Sequence, residues 1–111
     1  MAYVPDRADI IWLDFDPQAG HEQGGHRPAL VLSPKSYNNK SGLFICCPIT
    51  SKVKGYAFEV PLPEGLAIAG VILADQVKSL DWQERDAKFI ARVPDIVLKH
   101  VLAKLNSLLR L

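Results

Sequence analysis

"DIIWLDFDPQAGHEQGGHRPALVLS", residues 9–33, decides how the rest of the chain is read. Its two ends, Asp9–Phe15 and Ala29–Ser33, are rich in β-branched and large apolar residues and are bounded by polar or Gly/Pro clusters. That is the pattern of two strands. The segment "GHEQGGHRP" (20–28) between them carries two histidines, a glutamate, a glutamine, an arginine and three glycines. Two strands of a small domain need only about two to five residues to turn from one into the next. A longer, polar, glycine-rich connection points to a loop kept for binding or catalysis.

Working outward, the same alternation of apolar runs and turn formers continues. "PKSYNNKSG" (34–42) reads as a connection in which a single helical turn near Lys35–Tyr37 fits. "LFICCPIT" (43–50) reads as a third strand. In "YAFEVPL" (56–62), Tyr56, Phe58, Val60 and Leu62 fall on one face, while Ala57, Glu59 and Pro61 fall on the other. That period of two predicts a half-buried strand, with Pro61 at an edge or an end. "VILADQV" (71–77) predicts a fifth strand and "KFIARV" (88–93) a sixth. Pro94 then opens a helix, where its missing N–H costs nothing. Val97, Leu98, Val101, Leu102, Leu105, Leu108 and Leu109 form one stripe of that helix, with His100 on the polar side. Short strands in this number, followed by a helix, predict a mainly β fold with a C-terminal α-helix, the sheet curled into a small barrel.

The chain of 111 residues is expected to be a single domain over 1–111, and 49% hydrophobic residues supply one core. No apolar run approaches the roughly 20 residues of a membrane span, and "MAYVPDRADI" has no apolar signal region. A cytoplasmic protein with no membrane partner is expected. Cys46 and Cys47 are adjacent, so in a strand they point to opposite faces and are expected to be free and buried. A formal net charge of +1 argues against a protein that coats nucleic acid non-specifically, but leaves room for a local basic groove.

The sequence contains no P-loop, no GxSxG elbow and no HExxH. His21, Glu22 and His26 lack the companions of a metal site, so no metal or cofactor is expected. What remains suits an anion. Arg27, held extended by Pro28, offers a planar fork that binds phosphate in bidentate fashion; its structural alternative is an ion pair with Asp14, Asp16 or Glu22. Thr50 and Ser51 end the third strand. Lys52 and Lys54 stand beside Tyr56 and Phe58, a mixture in which cations meet phosphates and rings stack on bases of a single strand. Asp75, Gln76 and Lys78 add further polar groups in "DQVKS".

These residues, read with "CPITSKVKGYAFEV" and "VILADQVKSLDW", resemble the MazF/PemK family of toxin–antitoxin endoribonucleases, and its MazF branch in particular. The likeness runs from Val4 to the C-terminal helix. One departure is Ala8, where the family commonly has glycine. The resemblance implies an SH3-like curled barrel assembled as a homodimer, and metal-independent cleavage of single-stranded RNA, often at ACA-containing sites. The products would be a 2′,3′-cyclic phosphate (or 3′-phosphate) and a 5′-hydroxyl. A cognate acidic antitoxin would occupy the RNA groove. Carried over, the catalytic arginine falls on Arg27 and the catalytic threonine on Thr50, with Glu22 and then Gln23 in the loop. The PemK-type arginine position is Leu73 here, while His21 and Asp75 match that branch's other two catalytic positions.

Elementary chemistry agrees with this set. RNA cleaves when a 2′-hydroxyl attacks the adjacent phosphorus. Arg27 suits stabilisation of the charged phosphorane and protonation of the leaving oxygen, Thr50 suits one hydrogen bond to a non-bridging oxygen, and His21 or a carboxylate suits the base. The alternative is a non-catalytic toxin of the same fold that poisons DNA gyrase. It would make its contacts through the C-terminal helix, leaving Arg27 dispensable.

Overall fold

The computed structural model describes residues 2–16, 20–21 and 23–110. The strands anticipated on either side of the loop form β1 (Asp9–Asp14) and β2 (His26–Val31), paired antiparallel. Between β2 and β3 (Leu43–Thr50) lies a full helix, α1 (Lys35–Ser41), where the sequence suggested at most a single turn. Pro34 starts it and Gly42, in the left-handed conformation, ends it. Asn38 decides the matter. Fully buried, it donates from Nδ2 to the carbonyls of Pro5 and Ser33 and accepts from the Ser33 hydroxyl, and the Pro5 bond pins the helix to a residue distant in sequence.

Beyond β4 (Glu59–Pro61) comes the second departure: the strand expected over 71–77 is broken. β5 (Val71–Leu73) and β6 (Lys78–Asp81) both pair with the same edge of β3. Between the pairs Ile49–Ile72 and Cys46–Lys78, β3 advances three residues while its partner advances six. Three extra residues therefore bulge out of the ladder, and Asp75 and Gln76 sit in that bulge. Bulges re-aim side chains in this way, often beside functional sites.

With β7 (Lys88–Arg92) beside β1, the strand path runs β4–β5–β3–β2–β1–β7, with β6 on β3. The sheet is antiparallel in all its pairings and does not close. Seven described strands replace the expected five or six because of the bulge. Alternation along them buries both faces. Ile10, Leu30, Cys47, Ile49 and Ile72 face one cluster, and Ile11, Leu13, Ala29, Phe44 and Cys46 face the other. The two cysteines are free and buried, as expected. Burial pushes the Cys47 thiol up to about 12, with the Asp75 charge adding to the effect, and raises that of Cys46 further.

Helix α2 (Asp95–Leu109) covers the first cluster. Pro94, expected as the first helical residue, is instead its extended cap, so the helix starts one position later than expected. Val97, Leu98 and Val101 are buried, each contributing roughly 1.5–3 kcal/mol. Leu102 and Leu109 of the expected stripe are exposed, Leu109 at 75%, and His100 is solvated. No described helix is long and apolar enough to cross a membrane.

Candidate active site

The register of β2 and β3 sets Leu30 opposite Cys47 and Ala29 opposite Pro48. Beyond that ladder, Arg27 near the start of β2 and Thr50 at the end of β3 lie towards the same end of the two strands. Both line a cleft of about 840 Å³ at the open ends of these strands. His21 and Gln23 line it from the loop before β2, and Ser51, Lys52, Lys54 and Tyr56 from the segment after β3. Gln76 reaches it from the bulge.

Each of these groups is held by a local cause. The Arg27 Nε–H donates to the Gly24 carbonyl at 2.7 Å, which holds the side chain at the cleft wall. Among the described residues Arg27 forms no ion pair. Asp16 instead accepts from the Gly25 N–H at 2.7 Å, and Asp14 accepts from the Asp16 N–H at 3.0 Å. Thr50 is only 7% exposed, and its Oγ1 accepts from the Lys52 N–H at 3.2 Å. A hydroxyl that accepts there keeps its own proton for another partner. Opposite the Thr50 carbonyl stands Gly70, where an added Cβ would lie 2.3 Å from that oxygen. The loop's own anchor is the Gln23 N–H, which donates to Gln76 Oε1 at 3.0 Å.

Three predicted residues lie outside the cleft lining. Asp75 is exposed at the cleft's edge and accepts from the Tyr56 hydroxyl at 3.0 Å. Phe58 is half-buried in the turn before β4 and does not line the cleft. Lys78 does not line it either, its ammonium being 6.0 Å from the centroid of the Phe15 ring. Glu22 lies outside the described residues.

Sequence reasoning missed three groups in the cleft wall. Glu59 was expected to point outward. It is 9% exposed, and its two carboxylate oxygens accept from the Lys54 and Gly55 N–H groups, both at 2.9 Å. It thereby shapes the segment that carries Lys52, Lys54 and Tyr56. Trp12 and His26 stack on each other, with ring centroids 5.4 Å apart and planes 9° from parallel. The available signal was Trp12 itself, a large aromatic on the polar phase of an otherwise buried strand. Among the described residues no group of three His, Cys, Asp or Glu side chains could hold a metal ion.

Fold and cleft define a small antiparallel β protein with a C-terminal helix. Its open groove carries an arginine, two lysines and a hydroxyl at one strand mouth. The chain belongs to the family described as PemK-like, MazF-like toxin of type II toxin–antitoxin system, whose pattern matches residues 6–109. It is 53% identical over 107 residues to the endoribonuclease toxin MazF of Escherichia coli K12, covering 96% of each chain. The solved structure of MazF from Deinococcus radiodurans superposes with a TM-score of 0.96 at 56% identity, covering 99% of this chain and 100% of that one. A MazE–MazF structure from the same organism matches at a TM-score of 0.90 and 56% identity, over 99% of both chains.

Proposed function

We propose that this cleft cuts single-stranded RNA and that Arg27 and Thr50 are its catalytic pair. As an endoribonuclease toxin of a type II toxin–antitoxin system, the chain needs donors aimed at a phosphate whose charge grows during reaction. The observation that carries the assignment is the meeting of the fixed Arg27 guanidinium and the Thr50 hydroxyl in one open cleft.

In this reading a 2′-hydroxyl gives up its proton and attacks the adjacent phosphorus, and the bond to the 5′-oxygen breaks. The Arg27 terminal N–H groups and the Thr50 O–H stabilise the phosphorane, and Arg27 also serves the leaving oxygen. Removing one such donor costs about 100- to 1,000-fold in rate. His21 in the cleft wall serves as the base, with Asp75 and Glu22 as the carboxylate candidates. Gln23, Ser51, Lys52, Lys54, Tyr56 and Gln76 bind the strand, whereas the positions of Phe58 and Lys78 give their assignment no support.

The whole chain constitutes one toxin domain of the SH3-like curled type, working in the cytoplasm without metal. The MazE–MazF complex of the similar Deinococcus chain supports a cognate acidic antitoxin as partner. Exposed Ile96, Leu102 and Leu109 leave apolar surface on α2 for a homodimer. Sites containing ACA are the substrates to try first.

The test uses a labelled single-stranded RNA containing ACA, in chelator, with the wild-type chain beside Arg27→Ala and Thr50→Val. Products ending in a cyclic or 3′-phosphate, lost in both variants, are expected. Undiminished cleavage by folded Arg27→Ala would overturn the assignment.

A further inference from the structure

Strand β1 is buried along its inward positions, yet Trp12 remains 37% exposed on the opposite phase, beyond the cover of α2. On the same face β2 sets Pro28 directly across from Trp12, and His26 diagonally across. His26 is exposed and lies parallel to the indole. Trp12, His26 and Pro28 all line the cleft that holds Arg27. A flat aromatic surface left partly bare at such a wall forgoes the burial that its apolar area would gain.

We infer that Trp12 and His26 form a stacking subsite for one nucleobase of the bound strand, placed so that the phosphate beside that base meets Arg27. The inference rests on the RNA-cleaving reading of the cleft. His26 immediately precedes Arg27 in β2, so an aromatic platform and an anion-binding fork are one residue apart. That is the spacing logic of single-strand binding, in which rings take bases and cations take the backbone. Every base has a π-face, so this subsite supplies affinity without choosing the base, leaving sequence choice to groups that reach base edges.

The test is a binding measurement on RNA made uncleavable by a 2′-deoxy nucleotide at the scissile position. Trp82 is buried with its indole N–H donating to the Asn38 carbonyl, so quenching of tryptophan emission on binding reports Trp12. Wild type should show that quenching, and Trp12→Phe should lose it. Trp12→Ala and His26→Ala should each weaken binding by about 5- to 150-fold, the range for loss of one stacked base. A scan of single abasic nucleotides should find one position that weakens wild type but has no effect on Trp12→Ala. If wild type binds and both alanine variants bind equally well, the subsite is overturned while the RNA reading stands. The same result with weakened binding of an acidic antitoxin peptide would assign the pair to that partner instead. Failure of wild type to bind any RNA would overturn both.

Discussion

The Tyr56 hydroxyl donates to Asp75 Oδ1 at 3.0 Å, joining the segment after β3 to the bulge between β5 and β6. Burial first, then the hydrogen bond and negative charge of Asp75, push the Tyr56 phenol up to about 12, with Gln76 working the other way. A raised value in the folded state means that the neutral phenol favours folding. That contribution is whole below the ordinary tyrosine value of about 10 and is lost as pH climbs through the folded value. Asp75→Asn should lower the Tyr56 titration, read by tyrosinate absorbance and assigned with Tyr56→Phe. An unmoved titration in Asp75→Asn would mean that the bond does not form in solution.

Gly70 sits at φ +131°, and a Cβ there would come within 2.3 Å of the Thr50 carbonyl oxygen and 2.9 Å of its carbon. Gly70→Ala is expected to lower stability by about 1–3 kcal/mol through backbone strain. By moving Thr50 it should also cut cleavage, by about 100-fold for a shift near 1 Å. Gly65→Ala, at φ +92° but with open space around it, should share the strain and keep the activity. Thermal unfolding and initial rates on the same four samples (both variants and two wild-type controls) separate the two effects.

Ala8 is buried at φ +78°, a left-handed conformation that costs an L-residue roughly 1–2 kcal/mol. It persists because the Ala8 N–H donates to Val31 and the Ala8 carbonyl accepts from Val93, tying the start of β1 to the ends of β2 and β7. This is the physical reason that glycine suits the position. Ala8→Gly should raise stability by about 0.5–1 kcal/mol, the relief of strain being partly offset by added freedom in the unfolded chain. Chemical denaturation would detect it, with cleavage unchanged.

Asn38→Ala would leave the Ser33 hydroxyl and the Pro5 and Ser33 carbonyls without their buried partner. A loss of about 3 kcal/mol is expected, since each unsatisfied buried group costs about 1–3 kcal/mol. Asn38→Asp should be worse at neutral pH, because its carboxylate would face two carbonyl oxygens where the amide donated. Urea unfolding of the two variants checks the order, and an equal effect of both would refute the donor assignment.

How much of this was legible beforehand depends on the range of the interactions concerned. β1, β2, β3 and α2 were readable because burial imposes a period of two or about 3.6 on neighbouring residues. The places of Arg27 and Thr50 at strand ends were readable from local features, an X-Pro step and the end of an apolar run, whereas their proposed roles came from the family resemblance. Helix α1 was not readable, since its anchor Asn38 donates to the Pro5 carbonyl and accepts from the Trp82 indole N–H, both distant in sequence. The split of 71–77 into β5, a bulge and β6 was equally hidden, because only pairing with β3 defines it.

By itself, then, the sequence determined the strand-rich order, the final helix, the two buried cysteines on opposite faces and the chemical types gathered around the loop. Tertiary structure alone decided which of those groups share a cleft. It brought Arg27 and Thr50 to one cleft, turned Glu59 inward to two backbone N–H groups, stacked His26 on Trp12 and directed Lys78 towards Phe15. The reason is physical: alternation fixes which face a side chain leaves from, whereas register and bulges, set by partners far along the chain, fix what it meets.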